Sequence, residues 1–463
     1  MTAAAAATDS SIEPSRRVWT SWDMYLLGFV LILLLMAQEK FNNAITSDGC
    51  VYFSYLRSLV FDHDLQIGPE VAFLNLPPRP HYVVPVGPAI VWAPAYLLVA
   101  LVDWIGAVAG WWTRSDGVAL GLTGGYVRAA VMSSFAAGAI GLVALPLRVK
   151  REFDAAVALM TSILILGATT LIWYIVAEPS MTHAASFGAV ALLLITTERW
   201  LVARVPTSRQ AIALGTLCSL VILIRPADGL FLAYPAAALL FAPAYSGTPI
   251  KARGRIVAWL AVGAAPLFVL GVAMLLAIAP AGGFTLIGGN EGYLTPTESR
   301  WSDVLFSSRH GLFSWTPAVW LGLSGTVLYV RRNRLWAIPA LAAFVGIVWT
   351  NGSAHDWAGG WAFGGRRFTS ALAAFAPGFA LAIDWLRRHP LVILVPAVVL
   401  TIGWNTLLMV QYQSGLLPRD ESVRFDTMIR QQVDLYLKPP YAYPFAFPAN
   451  VWFAWREGLP IDR

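Results

Sequence analysis

Charged residues are scarce in this chain of 463 residues. Asp, Glu, Lys and Arg make up 13% of it, whereas soluble domains carry roughly a quarter. Hydrophobic residues make up 57% and gather in segments of about 17–25 residues, the length that crosses a bilayer. This balance excludes a soluble globular protein. Because the backbone within a bilayer must satisfy its own hydrogen bonds, the sequence predicts an all-α polytopic membrane protein of about 11 transmembrane helices.

Several chemical signatures are also missing. The two cysteines, Cys50 and Cys218, form neither a disulfide framework nor a metal motif. No glycine-rich loop precedes a phosphate-binding Lys-Ser/Thr pair, no His/Cys/carboxylate cluster has metal-ligand spacing, and no serine stands in a nucleophile elbow. We therefore expect no metal and no cofactor. The net charge of +6 reports membrane orientation and a preference for anionic lipids rather than nucleic-acid binding.

Basic residues fall on alternate gaps between the apolar segments. Short loops rich in Lys and Arg mark the cytoplasmic side, so these gaps are predicted inside, with the N-terminus inside and the C-terminus outside. The basic clusters are Arg16-Arg17, Arg148/Lys150/Arg151, Arg199/Arg204/Arg209, Lys251/Arg253/Arg255, Arg331/Arg332/Arg334 and Arg387/Arg388. The predicted spans lie near 22–38, 126–147, 154–176, 181–198, 209–224, 228–244, 256–279, 314–330, 335–350, 368–386 and 391–411.

The apolar segment 83–109 is predicted not to cross the membrane. Pro85, Pro88 and Pro94 crowd its first half and each removes a backbone donor. A crossing there would also move every later basic cluster outside. We expect the segment to re-enter or to lie along the outer interface, in a first outer loop with two interfacial helices near 49–61 and 88–108.

The predicted organisation has three parts. Residues 1–20 form a disordered cytoplasmic N-terminus, 21–411 form the transmembrane domain with the outer loop 39–125, and 412–463 form an extracytoplasmic tail. The protein is expected in the inner (plasma) membrane of a bacterial-type cell. Candidate chemistry lies in the predicted outer segments.

Asp48 opens the helix that follows the first span, and Gly49 after it allows a tight turn. A carboxylate here, shielded by overlying loops, is suited to act as a general base. The alternative is a loop aspartate that caps the helix. Asp62 and Asp64 end the same helix, where a solvated helix end is favoured.

Arg366 and Arg367 follow a glycine-rich stretch, GSAHDWAGGWAFGG. Glycines let backbone amides approach a ligand, and paired guanidinium groups suit a phosphate. The alternative is a basic pair that anchors a helix end to lipid headgroups. This anchoring alternative is weakened because the other basic pairs lie in loops predicted on the cytoplasmic side.

Other polar groups stand near the same predicted surface. Arg309 and His310 precede a span, although a lone His at an interface is more often structural. Glu178 and Arg225 lie in neighbouring outer hairpins, either as substrate contacts or as an ion pair with each other. Arg57 is a further substrate-binding candidate. The sequon at Asn351 is attributed to chance.

The arrangement resembles the GT-C superfamily of membrane glycosyltransferases that use polyprenyl-phosphate-linked sugars, including protein O-mannosyltransferases and lipid A aminoarabinose transferases. The resemblance covers roughly residues 20–390 in architecture. In sequence it is confined to SDGCVYFSYLRSL, the Pro-rich turn into VPVGPAIVWAP, Arg225-Pro226, SSRHGLFSWTP and WAFGGRRF.

This resemblance implies an inverting, metal-independent sugar transfer. Asp48 would deprotonate a hydroxyl of a glycan, lipid or protein acceptor on the outer face, and Arg366 or Arg367, with Arg309, would stabilise the departing lipid phosphate. Two features depart from the pattern: Gly49 stands where several relatives have a second acidic residue, and Val86-Gly87-Pro88 replaces a Lys-Pro-Pro motif.

Two other functions remain open. A lipid or solute transporter would place charges at mid-bilayer on paired broken helices, whereas here they lie near the outer ends. A ligase joining a lipid-linked glycan to another carrier would also use outer arginines, but its pyrophosphate leaving group should require more of them. The sugar, the acceptor and the oligomeric state are not determined by the sequence.

Overall fold

The chain is helical throughout the part described by the computed structural model, which covers residues 44–77, 84–278, 293–389 and 391–437 together with Gly28, Trp455 and Arg456. In these ranges β-sheet pairing is limited to one isolated bridge between Leu294 and Ala354. The predicted first span 22–38, the cluster Arg16-Arg17 and the aromatic end of the tail lie outside the described residues, apart from those three positions.

The helices follow one another as a bundle with short connections. The first nine are α1 (Asp48–Arg57), α2 (Gly68–Phe73), α3 (Gly87–Val108), α4 (Gly125–Val149), α5 (Ala155–Gly167), α6 (Leu171–Val176), α7 (Thr182–Thr197), α8 (Ser208–Ile224) and α9 (Ala233–Phe241). The others are α10 (Ile250–Ile278), α11 (Trp301–Phe306), α12 (Leu312–Trp315), α13 (Val319–Tyr329), α14 (Arg334–Ser353), α15 (Ala371–Ala374), α16 (Ala376–Leu386), α17 (Leu391–Gln413) and α18 (Phe425–Leu437).

Helix length and composition support a polytopic membrane protein. Among the described residues, 6 helices are long and apolar enough to cross a bilayer: Gly87–Val108, Gly125–Val149, Thr182–Val202, Ile250–Ile278, Arg334–Ser353 and Val395–Gln413. Shorter apolar helices occupy most of the other predicted spans. The all-α membrane class is therefore confirmed.

Several predicted spans are broken helices rather than continuous ones. The span 154–176 divides into α5 and α6 around Thr169, and 314–330 divides into α12 and α13 at Pro317. The span 228–244 begins as a 3-10 turn after Pro226, and 368–386 is interrupted before Pro377. Proline removes a backbone donor, and non-helical backbone within a membrane protein is tolerated where protein encloses it.

The predicted cytoplasmic clusters meet at one end of the bundle. Arg148 forms ion pairs with Glu198 and Glu152, both at 2.7 Å, and donates a hydrogen bond to the Tyr329 hydroxyl at 3.0 Å. Arg387 pairs with Asp154 across 233 positions of sequence. These contacts join loops that the charge pattern placed on the same side.

The first outer loop differs from the prediction in one respect. Helix α1 is enclosed by protein rather than laid on a lipid surface, because Gly49 through Arg57 are all buried. Trp92 and Tyr96 of α3 pack edge-on against Phe53. Buried aromatic pairs of this kind hold the loop together.

Helix α3 keeps both of its ends in the same half of the bundle. Its first residue, Gly87, lies against Leu223 and Ile224. Near its other end, Asp103 accepts a hydrogen bond from Tyr126, at the start of α4 (2.8 Å). These contacts agree with a segment that does not cross, although its length would permit a crossing. Its membrane placement stays a prediction.

Helices α8 and α10 approach each other very closely. A Cβ on Gly263 would lie 1.9 Å from the Ile212 carbonyl oxygen, so only glycine fits there. Thr216 and Ser219 of α8 donate hydrogen bonds to the carbonyl oxygens of Gly263 (2.9 Å) and Ala264 (2.8 Å). Small residues with interhelical hydroxyl bonds are typical of helix packing in membranes. The pair forms one wall of the cavity described next.

Candidate functional site

A cavity of about 320 Å³ lies at the end of the bundle opposite the Arg148 cluster. Four of the predicted site residues line it: Asp48, Arg225, Arg366 and Arg367. They come from three separate predicted outer segments, so the fold brings these segments together. A volume of about 300–1,000 Å³ is usual for small-molecule sites.

Asp48 is held at the cavity by the turn that contains Ser180. The Thr46 amide donates a hydrogen bond to the Ser180 hydroxyl (3.2 Å), and Ser47 has a left-handed φ of 52°. A Cβ on Gly49 would lie 2.8 Å from three Ser180 atoms, including its backbone oxygen. Consequently a second acidic residue directly after Asp48 does not fit without moving this turn.

The Asp48 carboxylate lies in the cavity lining and forms no capping bond at the start of α1. Ser47 is the N-cap residue of α1, and no side-chain capping bond is formed there. Within the described part of the chain, the Asp48 carboxylate makes neither a hydrogen bond nor an ion pair, although Asp48 and Arg366 interact electrostatically. The interpretation of Asp48 as a capping aspartate is therefore wrong, and a half-buried carboxylate without a partner is available to a ligand.

The Arg366 guanidinium is similarly available. Arg366 lies in a single 3-10 turn (Arg366–Phe368), and its side chain forms no ion pair or hydrogen bond with any residue that the structure describes. Although burial lowers its pKa, the neighbouring Tyr174, Asp48 and Glu178 raise the pKa above its usual value. Arg366 thus stays charged and lacks a fixed counter-ion.

Arg367 is already engaged at the other side of the cavity. It pairs with Asp356 at 2.7 Å and donates a hydrogen bond to Tyr293 Oη at 3.1 Å, while Tyr293 donates to Asp356. Burial raises the pKa of Asp356, but Arg367 and these hydrogen bonds outweigh it and hold the pKa below its usual value. The charge of Arg367 is therefore largely compensated.

Arg225 lies at the end of α8 and connects the two arginine segments. Its guanidinium donates to the Arg367 carbonyl oxygen at 3.1 Å and lies 3.6 Å from Asp228. Asp228 is fully buried and accepts hydrogen bonds from Ser186 and Ser370. The proposed ion pair between Arg225 and Glu178 is not formed, since Asp228 is the partner.

Glu178 stands behind the cavity rather than in its lining. Burial raises the pKa of its carboxyl, and Arg366 and Arg419 lower it in part. Further along the same segment, His183 does line the cavity. Its Nδ1 is buried and has no partner among the described residues, and its ring packs edge-on against Tyr174. The Glu178 carboxyl group therefore contributes to the electrostatic potential at Arg366.

One wall of the cavity is apolar and reaches the outer surface of the bundle. Leu223 of α8 and Phe268, Val272 and Leu275 of α10 form this wall. Phe268 is 45% exposed. The apolar wall thus lies next to the charged groups of the cavity and continues onto an exposed apolar face of α10.

His310 lies beside the cavity, and Arg309 does not line it. The His310 ring is buried, and its Nδ1 lies 2.9 Å from the Ala358 carbonyl oxygen. Burial lowers the pKa of His310 to about 4, so the ring is neutral at physiological pH.

Arg57 does not reach the cavity. Its guanidinium pairs with Asp62 and, at 2.9 Å, with the fully buried Glu70. It also donates to the carbonyl oxygens of Leu120 and Gly117. Arg57 is thus a structural residue, and Asp62 and Asp64 lie at the helix end with partners of their own, Arg57 and Ser58.

We expect Arg57→Met to destabilise the protein strongly. It would leave Glu70 buried without its counter-charge, which costs about 3–5 kcal/mol. Thermal unfolding in detergent measures this effect. The double variant Arg57→Met/Glu70→Met should recover most of the loss, because no buried charge remains. Equal melting temperatures for wild type and Arg57→Met would refute the structural role.

Sequence reasoning missed several residues of the cavity. Tyr52, Tyr293 and Asp356 line it, and Asn351 was noticed only as a sequon. Asn351 is 4% exposed, so its sequon is closed to modification. The one available signal was the position of Asp356 in the same glycine-rich stretch as Arg366.

Fold and site together define a polytopic, all-helical membrane protein with a charged cavity at one end of its bundle. No protein-family model and no curated protein matches the sequence. Two solved structures of the oligosaccharyltransferase AglB from Archaeoglobus fulgidus are similar at a low level. The apo form gives a TM-score of 0.39 at 12% identity, and the complex with an inhibitory peptide and a dolichol-phosphate gives 0.40 at 11%.

The similarity covers 91% of this chain and 55% of each archaeal chain, so this chain spans about half the length of those proteins. At these TM-scores the likeness carries no argument about the cavity. The function is therefore argued from the residues of the chain itself.

Proposed function

We propose that this protein is a membrane glycosyltransferase. It moves a single sugar from a polyprenyl phosphate to an acceptor hydroxyl at the outer face of the membrane. The observation that carries the proposal is that a carboxylate, Asp48, and a guanidinium, Arg366, line one cavity and pair with none of the residues that the structure describes. Because the two opposite charges share a cavity without pairing with each other, Asp48 is available to the hydroxyl proton of an acceptor and Arg366 is available to the phosphate of a donor.

The reaction assigns one role to each charged group. Asp48 takes the proton from the acceptor hydroxyl, whose oxygen attacks the anomeric carbon as the bond from that carbon to the phosphate oxygen breaks. Polyprenyl phosphate leaves, and Arg366 stabilises the charge that grows on it. Attack opposite the leaving group inverts the anomeric configuration, as in inverting glycosidases. Arg225 and Arg367 shape the phosphate side of the cavity.

The charges of the cavity favour a monophosphate donor. Arg367 is compensated by Asp356 and Arg225 by Asp228, which leaves Arg366 as the arginine of this group without a fixed counter-ion. One phosphodiester carries one negative charge and matches one free guanidinium. A pyrophosphate donor would require more cationic charge.

The apolar wall supports a lipid donor. The wall formed by Leu223, Phe268 and Val272 lies next to the charged groups. We propose that it opens toward the bilayer, so that a polyprenyl chain stays among the lipids while its phosphate reaches Arg366. A cavity of about 320 Å³ suits a single sugar phosphate better than a long glycan. We propose the orientation with the cavity outside and the N-terminus cytoplasmic, and the acceptor is a glycan, a lipid or a protein at that face.

Mass spectrometry of co-purified lipids tests the proposal. Wild type, Asp48→Asn and, as a matched control, Asp64→Asn are purified in gentle detergent. We expect a glycosylated polyprenyl phosphate to be enriched on Asp48→Asn alone, because that variant binds the donor and does not turn it over. The same ordinary phospholipids on all three proteins would count against transfer and favour a transporter.

A further inference from the structure

A small recess opens beside the main cavity and shares three residues with it. Its volume is about 10 Å³, and its lining includes His310 together with the shared Asn351, Arg366 and Arg367. This is near the volume that one water molecule needs, on the order of 10–15 Å³. The recess is therefore the size of one hydroxyl group and adjoins the phosphate side of the site.

Asn351 lines this recess and carries an amide nitrogen that no described residue uses. It lies near the end of α14, where the chain is fixed by hydrogen bonds from the Thr295 amide to Ser353 and from the Arg300 amide to Gly352, each at 2.8 Å. Its Nδ2 is buried and has no partner in the described part of the chain. The local structure thus holds the amide in place without using its hydrogen bonds.

His310 adds a second unused group. A carbonyl oxygen can only accept, so the contact with Ala358 assigns the proton of the neutral ring to Nδ1. Nε2 is then a lone-pair acceptor, and it is buried without a partner among the described residues. Edge-on packing against Trp315 fixes the ring orientation.

The chemistry of these two groups selects a hydroxyl over a phosphate oxygen. An amide offers both a donor and an acceptor, and the neutral imidazole offers an acceptor. A phosphodiester oxygen can only accept, whereas a sugar hydroxyl donates and accepts. A buried polar group without a partner costs stability, so a ligand hydroxyl that enters the recess and bonds these groups removes that cost.

We propose that the recess receives one hydroxyl of the transferred sugar and that Asn351, with His310, is the specificity-determining contact for it. This inference rests on the proposed function and assigns the donor an orientation. The polyprenyl chain lies on the wall of α8 and α10, the phosphate lies at Arg366, and the sugar turns toward Asn351. A site built to bond a hydroxyl rejects sugars that lack it, because its own polar groups are then left unpaired.

Binding measurements with defined lipids test the inference. Dissociation constants are measured by thermophoresis in detergent for bare polyprenyl phosphate and for polyprenyl phosphates that carry mannose, glucose, galactose or arabinose. We expect wild type to bind one of these sugar lipids more tightly than the bare phosphate. Asn351→Ala should weaken that lipid about tenfold and leave the bare phosphate unchanged.

Monodeoxy analogues of the preferred sugar then locate the hydroxyl. One analogue should bind wild type about tenfold more weakly than the parent lipid. Asn351→Ala should not weaken the binding of that analogue further. This non-additivity is the signature of a direct contact in a double-mutant cycle. His310→Phe should reduce the preference for the same hydroxyl.

Asn405 supplies the matched control. It is also a buried asparagine, but its Nδ2 donates to the carbonyl oxygens of Gly167 (3.0 Å) and Thr169 (2.9 Å). We expect Asn405→Ala to lower the melting temperature and to keep the sugar preference. Asn351→Ala should keep or raise the melting temperature of the ligand-free protein, because no protein hydrogen bond is lost.

The outcomes separate the two proposals. If wild type binds no polyprenyl phosphate at all, the proposed function fails. Two other outcomes would refute only the proposed role of the recess. One is that wild type binds the bare phosphate and every sugar lipid alike, and the other is that Asn351→Ala weakens bare and sugar-bearing lipids equally. In either case the recess holds a water molecule.

Discussion

Asp48→Asn is expected to fold like the wild type and to lose sugar transfer by a factor of about 10²–10⁴, the usual contribution of a general base. Folding should persist because the Asp48 carboxylate makes no hydrogen bond or ion pair with the described residues that the substitution would break. Amide and carboxylate have nearly the same shape, so the cavity keeps its form. The amide cannot take the proton from the acceptor hydroxyl, and this accounts for the expected loss of transfer.

The measurement is the conversion of glycosylated lipid to free polyprenyl phosphate in membrane vesicles of the producing cell, where the acceptor is present. Asp64→Asn is the control, because Asp64 ends the same helical segment and accepts from Ser58 and Gln66 away from the cavity. It should keep near-normal turnover. Retained turnover in Asp48→Asn would eliminate Asp48 as the base.

Arg366→Gln is expected to reduce turnover by about 10²–10³, the range seen when one group that stabilises a developing oxyanion is removed. The melting temperature should change little, since the guanidinium has no partner to lose in the described ranges. Arg366→Lys keeps the charge without the planar fork, and we expect its activity to fall between those of wild type and Arg366→Gln.

The comparison with Arg367 makes this test sharper. Arg367→Gln leaves Asp356 and Tyr293 without their cation, so it should lower stability as well as turnover. Arg366→Gln should lower turnover alone. Turnover and lipid affinity of wild-type magnitude in Arg366→Gln would show that the phosphate lies elsewhere in the cavity.

The sequence predicted the helical class because the length and spacing of apolar runs are local properties. Alternation of basic loops also predicted correctly which loops meet. Arg148, Glu198 and Arg387 lie in the cluster at one end, and Asp48, Arg225 and Arg366 line the cavity at the other. The sequence analysis did not predict the helix breaks near Thr169 and at Pro317, because the mean hydropathy of a segment does not respond to a break of a few residues.

The candidate site was predicted in part. Asp48, Arg225, Arg366 and Arg367 line the cavity, whereas Arg57 was placed there wrongly. Arg57 stands in the same helix as Asp48, and nothing in the local sequence indicated that it would form an ion pair with Glu70. Asn351 was overlooked because an asparagine near the end of an apolar helix has no distinctive local pattern, and its importance comes from the absence of a nearby partner.

By itself, the sequence determined that the chain is a bundle of apolar helices with two chemically different ends. Those properties follow from interactions of each segment with lipid and water. Only the tertiary structure decided which charges are paired. Asp356 neutralises Arg367 across 11 positions of sequence, and Tyr293 accepts a hydrogen bond from Arg367 across 74. Pairing between distant segments depends on how the helices pack, and in the described part of the chain that packing leaves Asp48 and Arg366 unpaired in one cavity.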